Sequence, residues 1–293
     1  LTKTVNLKEL SRHLGLSQTT VSRALNGYSD VGEGTRRRVE EAARALDYRP
    51  SATARRLALG RTGTIGILFP FVGGVSIDPQ YAEFLSGVVE AVAETDADVC
   101  MIPTRVQPGG ETPRPSRLRS VDAVILSGPA LDDERVTLLR RSKVPFVVHG
   151  RLRGAEDYAF LDIDNEGAFR RATELLLDLG HQRIALLDGD TALAFASRRR
   201  DGWLSALSGR GVSPPSIFHR AGTMSEEHGH DWTAELLSGS AGPTAFLCSS
   251  MILALGCCRA LREAGLTIGR DVSVIAHDDG MPAIRPQTMV PAL

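Results

Sequence analysis

Two short helical segments separated by a glycine open the chain, and they constrain it most. Asn6 with Glu9 three residues later forms a capping box, which predicts a helix from Leu7. Leu7, Leu10 and Leu14 then share one helical face. Gly15 suits the left-handed turn that ends such a helix, and Leu16 turns back towards the core. Ser17 is a second N-cap, opening a helix whose Val21 and Leu25 face inward. Gln18, Thr19, Ser22 and Arg23 are left on the outside. Short or forked hydrogen-bonding side chains at the N-terminal end of a helix are what reading a major groove requires. The plain alternative is a helical hairpin with a polar outer face.

A third helix is predicted over 34–46, with Val39, Ala42, Ala43 and Leu46 inward and Arg36, Arg37, Arg38 and Arg44 outside. Three helices close a minimal core. Pro50 breaks the run, and Ser51 can cap a further short helix bearing Ala54, Leu57 and Ala58. Such a helix is too short to be stable alone. Charge divides along the same line. Residues 1–62 hold 12 Lys and Arg against 6 Asp and Glu, and the remainder 22 against 29. A basic head fits phosphate contacts, and an acidic body does not compete for them.

From Thr64 onward, apolar strands alternate with helices. Strands are expected at 64–70, 98–102, 121–126, 145–149, 184–188, 245–248 and 272–277. Helices are expected at 81–94, with Phe84, Leu85, Val88, Val89 and Val92 as core stripe, and at 132–141, 169–179, 198–209 and 253–264. Such alternation means a doubly wound α/β body, and a crossover near Leu161–Asn165 divides it into two lobes. Ligands in such sheets bind beyond the strands' carboxyl ends. The Pro-, Gly- and Arg-rich stretch 105–119 reads as loop and has no assigned role. Cys100, Cys248, Cys257 and Cys258 lack metal spacing and read as buried thiols. With no signal peptide and no long apolar run, the expectation is a cytoplasmic protein without a membrane partner. Nucleophile elbow, phosphate loop and metal-spaced ligands are missing from the sequence, so no catalytic residue, metal or cofactor is expected.

Val-x-Leu-x-x-Leu from Val5, the Ser17–Asn26 helix and Asp-Tyr-x-Pro-Ser-x-x-Ala-Arg-x-Leu from Asp47 together resemble the DNA-binding head and hinge of the LacI family. The resemblance runs on through Ile-Asp-Asn-x-Gly at Ile163, Leu-Gly-His-x-Arg-Ile-Ala at Leu179, Arg-x-x-Gly-Trp at Arg199, and the run Ala264–Asp279. It implies an all-α helix-turn-helix head (1–50), a hinge helix and linker (51–62), and a two-lobed periplasmic-binding-protein-like effector domain (63–293). The lobes fall at about 63–162 and 163–290, and relatives carry further lobe-1 material beyond Leu293. Double-stranded operator DNA would be read by Ser17, Gln18, Thr19, Ser22, Arg23 and Asn26, with Ala54 and Leu57 of the hinge in the minor groove.

A homodimer controlled by a small-molecule effector, expected to be a sugar, is implied. Arg199 and Asp278 align with the residues that clamp that effector, and Phe71, Asp164 and Ser250 are further candidates. Each has a structural alternative. Arg199 stands in a run of three arginines, Asp278 and Asp164 suit helix or loop caps, and Trp203 suits the lobe core better than a ligand stack. Ser249-Ser250-Met251 replaces the Asn-Asp common in relatives, pointing to an effector bulkier or less polar on that side. The rival readings are a purine or other non-sugar corepressor, a solute-binding protein that binds no DNA, and an enzyme.

Overall fold

The structure, a computed structural model, describes residues 5–48, 61–70, 79–104, 115–152, 154 and 157–279. The chain separates into two compact units, Leu1–Thr62 and Gly63–Leu293.

In the first unit, α1 (Leu7–Leu14), α2 (Gln18–Leu25) and α3 (Glu33–Ala45) enclose Leu10, Val21, Ala24, Val31, Val39 and Ala43. Both halves of the capping box are present at Asn6 and Glu9, and Gly15 takes φ 66° at the end of α1. The Ser17 side chain accepts the Thr20 N–H at 3.0 Å, which starts α2. Each such cap is worth about 1 kcal/mol. Leu7, Leu14 and Leu25 are only half-buried, because three short helices cannot cover a full apolar face. The hinge residues Ala54 and Leu57 lie outside the described residues, as does Phe71.

The second unit holds two parallel sheets. The first has the order β2-β1-β3-β4-β5, from β1 (Thr64–Pro70), β2 (Asp98–Thr104), β3 (Ala123–Ser127), β4 (Phe146–His149) and β5 (Ala159–Leu161). The second has the order β7-β6-β8-β9, from β6 (Ile184–Asp188), β7 (His219–Ala221), β8 (Ala245–Cys248) and β9 (Ser273–Ala276). Helices α4 (Pro79–Ala93), α5 (Pro115–Leu118) and α6 (Glu134–Ser142) accompany the first sheet. Helices α7 (Asn165–Asp178), α8 (Ala194–Gly209), α9 (Glu226–Leu237) and α10 (Met251–Glu263) accompany the second. Every residue of β6 and β8 is buried, as a central parallel strand covered on both faces requires. Trp203 joins that core at 2 % exposure. Val89, expected inside, is 59 % exposed, while Tyr81 one turn from the start of α4 is buried.

In each sheet the order reverses beside the first strand, between β1 and β3 and between β6 and β8. Ligand crevices form at such switch points. The two lobes meet there. Leu193, at the start of α8, forms an antiparallel bridge with Ala130 beyond β3. The Ala194 N–H donates to the Pro129 carbonyl at 2.9 Å, and the Arg198 guanidinium to the Leu152 carbonyl at 2.7 Å. These bonds tie the two lobes at the root of α8.

Candidate effector cleft and DNA-reading face

On α2, Gln18, Thr19, Arg23 and Asn26 are exposed and Ser22 half-buried, while Val21 and Ala24 are anchored in the core. Burial of one stripe therefore fixes which side chains face out. Arg23 pairs with Asp30 at 2.8 Å and lies over the Tyr28 ring, with both charged side chains about half exposed. A surface pair of this kind is worth at most about 1 kcal/mol, so it orients Arg23 without preventing an exchange of partner. Asn26 donates to the Ser22 carbonyl at 2.8 Å and closes the helix. Arg37, Arg38 and Arg44 are exposed on α3, and Arg36 donates to the Tyr28 carbonyl at 2.9 Å.

In the second lobe the carboxyl ends of β6 and β8 surround one buried guanidinium. Arg199 is 2 % exposed, one turn and a half into α8. Its Nε donates to Asn165 Oδ1 at 2.8 Å and its Nη1 to the Ser249 carbonyl at 2.6 Å. Rings sandwich it, with Phe169 and Phe195 centroids 5.0 and 4.9 Å from Cζ. Two hydrogen bonds and two aromatic faces hold a weakly hydrated, delocalised cation in place of water. Its neighbours in the Arg198–Arg200 run do different work, since Arg198 spans to the other lobe. Burial thus singles out Arg199 where spacing alone left three candidates.

Around it lie carboxylates. Asp162 accepts from Asn165 Nδ2 at 3.2 Å, and burial raises its pKa against the lowering pull of Arg151, Arg198 and Arg199. Asp188, fully buried, accepts the Ser249 hydroxyl at 2.6 Å. Of the Asp278–Asp279 pair the two members differ. Asp279 is buried and accepts the Met251 N–H at 3.3 Å, whereas Asp278 is exposed. His277 has its pKa pushed down to about 4, first by burial and then by Arg199, with Asp278 opposing. A neutral imidazole beside Arg199 adds no repulsion.

Ser250 is buried at 1 % exposure and caps α10 by accepting the Leu253 N–H at 3.2 Å. Asp164 caps α7 by accepting the Gly167 N–H at 2.8 Å, its side chain largely exposed near Arg171. In the first lobe, Ser127 at the end of β3 bonds His149 Nδ1 at 3.0 Å at the end of β4. The His149 ring stacks on Phe84 at 4.1 Å, and burial lowers its pKa. Arg135 reaches Thr104 Oγ1, the Gly128 carbonyl and Asp133, thereby bracing the loop that carries the Pro129 contact to α8.

Sequence reading points to Arg199, Asp278, Phe71, Asp164 and Ser250, and to Ser249 only as part of the Ser249-Ser250-Met251 departure; it does not point to Asn165, Phe169, Phe195, Asp188, Asp162 or His149 as site residues. A polar residue ending an all-apolar buried strand, as Asp188 ends Ile184–Asp188, is the signal that points to a site. Among the described residues no cluster of His, Cys, Asp or Glu could hold a metal ion, and no helix is long and apolar enough to cross a membrane.

Residues 6–51 match the family described as bacterial regulatory proteins, lacI family. Residues 62–290 match that of periplasmic binding proteins and sugar binding domain of LacI family. The chain is 45 % identical to the HTH-type transcriptional regulator AglR of Rhizobium meliloti (strain 1021), over 97 % of this chain and 80 % of that protein. It is 35 % identical to the regulator RafR of Escherichia coli, over 95 % and 82 %. Among solved structures, the Lac repressor dimer bound to operator and the anti-inducer ONPF superposes with a TM-score of 0.77 at 27 % identity, over 95 % of this chain and 84 % of that one. The CelR–cellobiose complex superposes at 0.63 with 28 % identity, over 93 % and 82 %. A three-helix N-terminal unit, a body of two parallel α/β sheets and these matches over both units have one conclusion: the chain belongs to the LacI family and is a ligand-responsive, DNA-binding transcription regulator, not an enzyme.

Proposed function

We propose that this regulator represses genes of carbohydrate uptake or catabolism from the cytoplasm. In this reading a homodimer binds a palindromic operator, and a sugar held between the lobes sets its affinity. The observation that carries the effector half is Arg199, a buried cation fixed at the lobe-2 switch point by Asn165, Ser249 and two rings. Guanidinium and carboxylate groups each bond vicinal hydroxyls in pairs, so Arg199 with the exposed Asp278 suits a sugar. Phe71 supplies an apolar platform and Asp164 a polar rim, while Ser250 shapes the wall by starting α10. Support also comes from a relative that is itself a CelR–cellobiose complex.

For the DNA half, Ser17 places the N-terminus of α2 at a phosphate. Gln18, Thr19, Ser22, Arg23 and Asn26 face the major groove, where Gln18 prefers adenine and Arg23 guanine. Ala54 and Leu57 of two hinge helices enter the minor groove at the operator centre, and Leu57 opens a base step there. Effector binding moves the lobes and parts the two hinge helices. Selection from a random duplex pool tests the reading. It should enrich two half-sites related by a twofold axis, and Arg23→Ala should relax one base position at a cost of about 1–3 kcal/mol. Enrichment of an asymmetric single site would overturn it.

A further inference from the structure

We propose that Asp188 is a positioning residue for Arg199, acting through Ser249 without touching the effector; this rests on the reading of Arg199 given above. Asp188 ends β6 and Ser249 follows β8, the two strands that flank the lobe-2 switch point. Ladder partners Leu187 and Cys248 immediately precede them, so the two residues meet across the carboxyl edge of the sheet. Ser249 donates its hydroxyl to Asp188 Oδ1 at 2.6 Å, and the Gly189 N–H donates to the same oxygen at 2.8 Å. The Ser249 N–H is bound to the Leu187 carbonyl at 2.9 Å. Its carbonyl is therefore held from both sides, and that carbonyl accepts Arg199 Nη1 at 2.6 Å.

All three residues are buried, at 0 %, 1 % and 2 % exposure. A carboxylate at full burial is costly unless it serves a cation or several donors. Asp188 has two donors at Oδ1, while Oδ2 has no hydrogen-bond partner and lies 3.6 Å from His219 Nε2, itself without one. Fold stability alone would be served better by an apolar residue here, as in the rest of β6. What Asp188 adds is a fixed acceptor for the Ser249 hydroxyl, and through Ser249 it fixes the carbonyl that the guanidinium meets. That acceptor holds Arg199 in place before ligand arrives, which lowers the ordering cost of binding.

The test reads Arg199 itself and needs no ligand. In nitrogen-15 correlation spectra of the full chain, the Arg199 Nε–H, bonded to Asn165 and flanked by two rings, gives a ring-shifted, slowly exchanging peak, assigned by its loss in Arg199→Lys. The proposal expects Asp188→Ala and Ser249→Ala to move that peak towards the solvent-exposed arginines and to speed its exchange by about tenfold, one hydrogen bond's worth. Asp188→Asn, which keeps an acceptor for the Ser249 hydroxyl, should leave it near the wild-type position. A peak unmoved in folded Ser249→Ala and Asp188→Ala would overturn the proposal. Calorimetry with cellobiose, lactose, melibiose and raffinose as probes then separates the two readings. Weakened sugar binding in Arg199→Lys bears on the pocket alone, whereas Asp188→Ala should weaken a bound sugar in the wild-type background and add nothing to the residual binding of Arg199→Lys. Additive losses would mean that Asp188 acts independently of Arg199 and would overturn the proposal.

Discussion

Replacing Gly202 by alanine tests whether α7 and α8 pack as closely as the buried Arg199 needs. A Cβ at Gly202 would stand 2.1 Å from the Glu166 carbonyl oxygen and 3.0 Å from the Arg170 nitrogen. Both are backbone atoms of α7, so no side chain can swing aside, and the helices must part by about 1 Å to restore an ordinary contact. Overpacking of this kind costs about 3 kcal/mol, and the better helix propensity of alanine returns about 1. A net loss of about 2 kcal/mol lowers the melting temperature by roughly 4–8 °C in a unit of this size. The same shift lengthens the 2.8 Å bond between Arg199 on α8 and Asn165 on α7, so ligand binding falls with stability. Thermal melts and urea titration measure the first effect, and calorimetry the second. A Gly202→Ala protein melting at or above the wild-type temperature would refute the packing argument.

Three further outcomes follow from the same physics. Ser17→Ala removes the cap on Thr20 and should destabilise the start of α2 by about 1 kcal/mol, seen as about fivefold faster amide exchange at Thr20, with Ser17→Asp restoring protection. His277 has its folded pKa depressed to about 4 from 6.5, so the unfolded chain takes up the proton first. The stability it contributes is complete above pH 6.5 and is lost as the pH falls towards 4. The loss is about 2 kcal/mol, since its partly solvated ring is screened. His277→Gln should flatten that slope, and an unchanged slope would contradict the assignment. Cys248, Cys257 and Cys258 are buried; the hydrogen bond with Cys257 and then burial raise the Cys248 thiol, and burial pushes Cys258 up to about 12. A disulfide reagent should therefore react in the native protein with at most the half-buried Cys100 and with four thiols after denaturation; three fast native thiols would contradict this.

How much was legible in the chain depended on whether the signal was local. The capping box at Asn6 and Glu9, the cap at Ser17 and the turn at Gly15 act within one helical turn, and all three stand where the spacing put them. Strands β1, β6 and β8 were legible to the residue because short, mostly apolar runs of four to seven residues, too short for a helix, alternate with helical patterns. Strand β5 left no such trace, since Ala159, Phe160 and Leu161 are all exposed at the sheet edge. Nor did β7, three residues containing His219 and Arg220. Helix α9 was not among the expected helices; its Gly229 is there because a Cβ would stand 2.2 Å from the Leu253 carbonyl oxygen of α10. Helix α8 begins four residues before the expected Arg198, because Leu193 offers no side-chain cap and the contact that fixes this end comes from Pro129 in the other lobe. Within the Arg199–Trp203 motif, by contrast, each residue has a physical reason: the arginine is buried in the site, the glycine lets α7 approach, and the tryptophan fills the core.

Site residues followed the same division. Arg199 and Asp278 were within reach of motif reading, but which of three arginines and which of two aspartates points where is decided by tertiary burial. Asp188 and Ser249 are 61 residues apart and meet only because β6 and β8 are neighbours. No local pattern carries that information.

The central claim, that a sugar seated on Arg199 controls operator binding, is tested most directly by fluorescence anisotropy on a selected operator, with wild type and Arg199→Ala titrated with and without a bound sugar. Both proteins should bind the operator equally well without sugar, and saturating sugar should change the wild-type affinity at least tenfold while leaving Arg199→Ala unmoved. An equal sugar response in the two proteins would contradict the account.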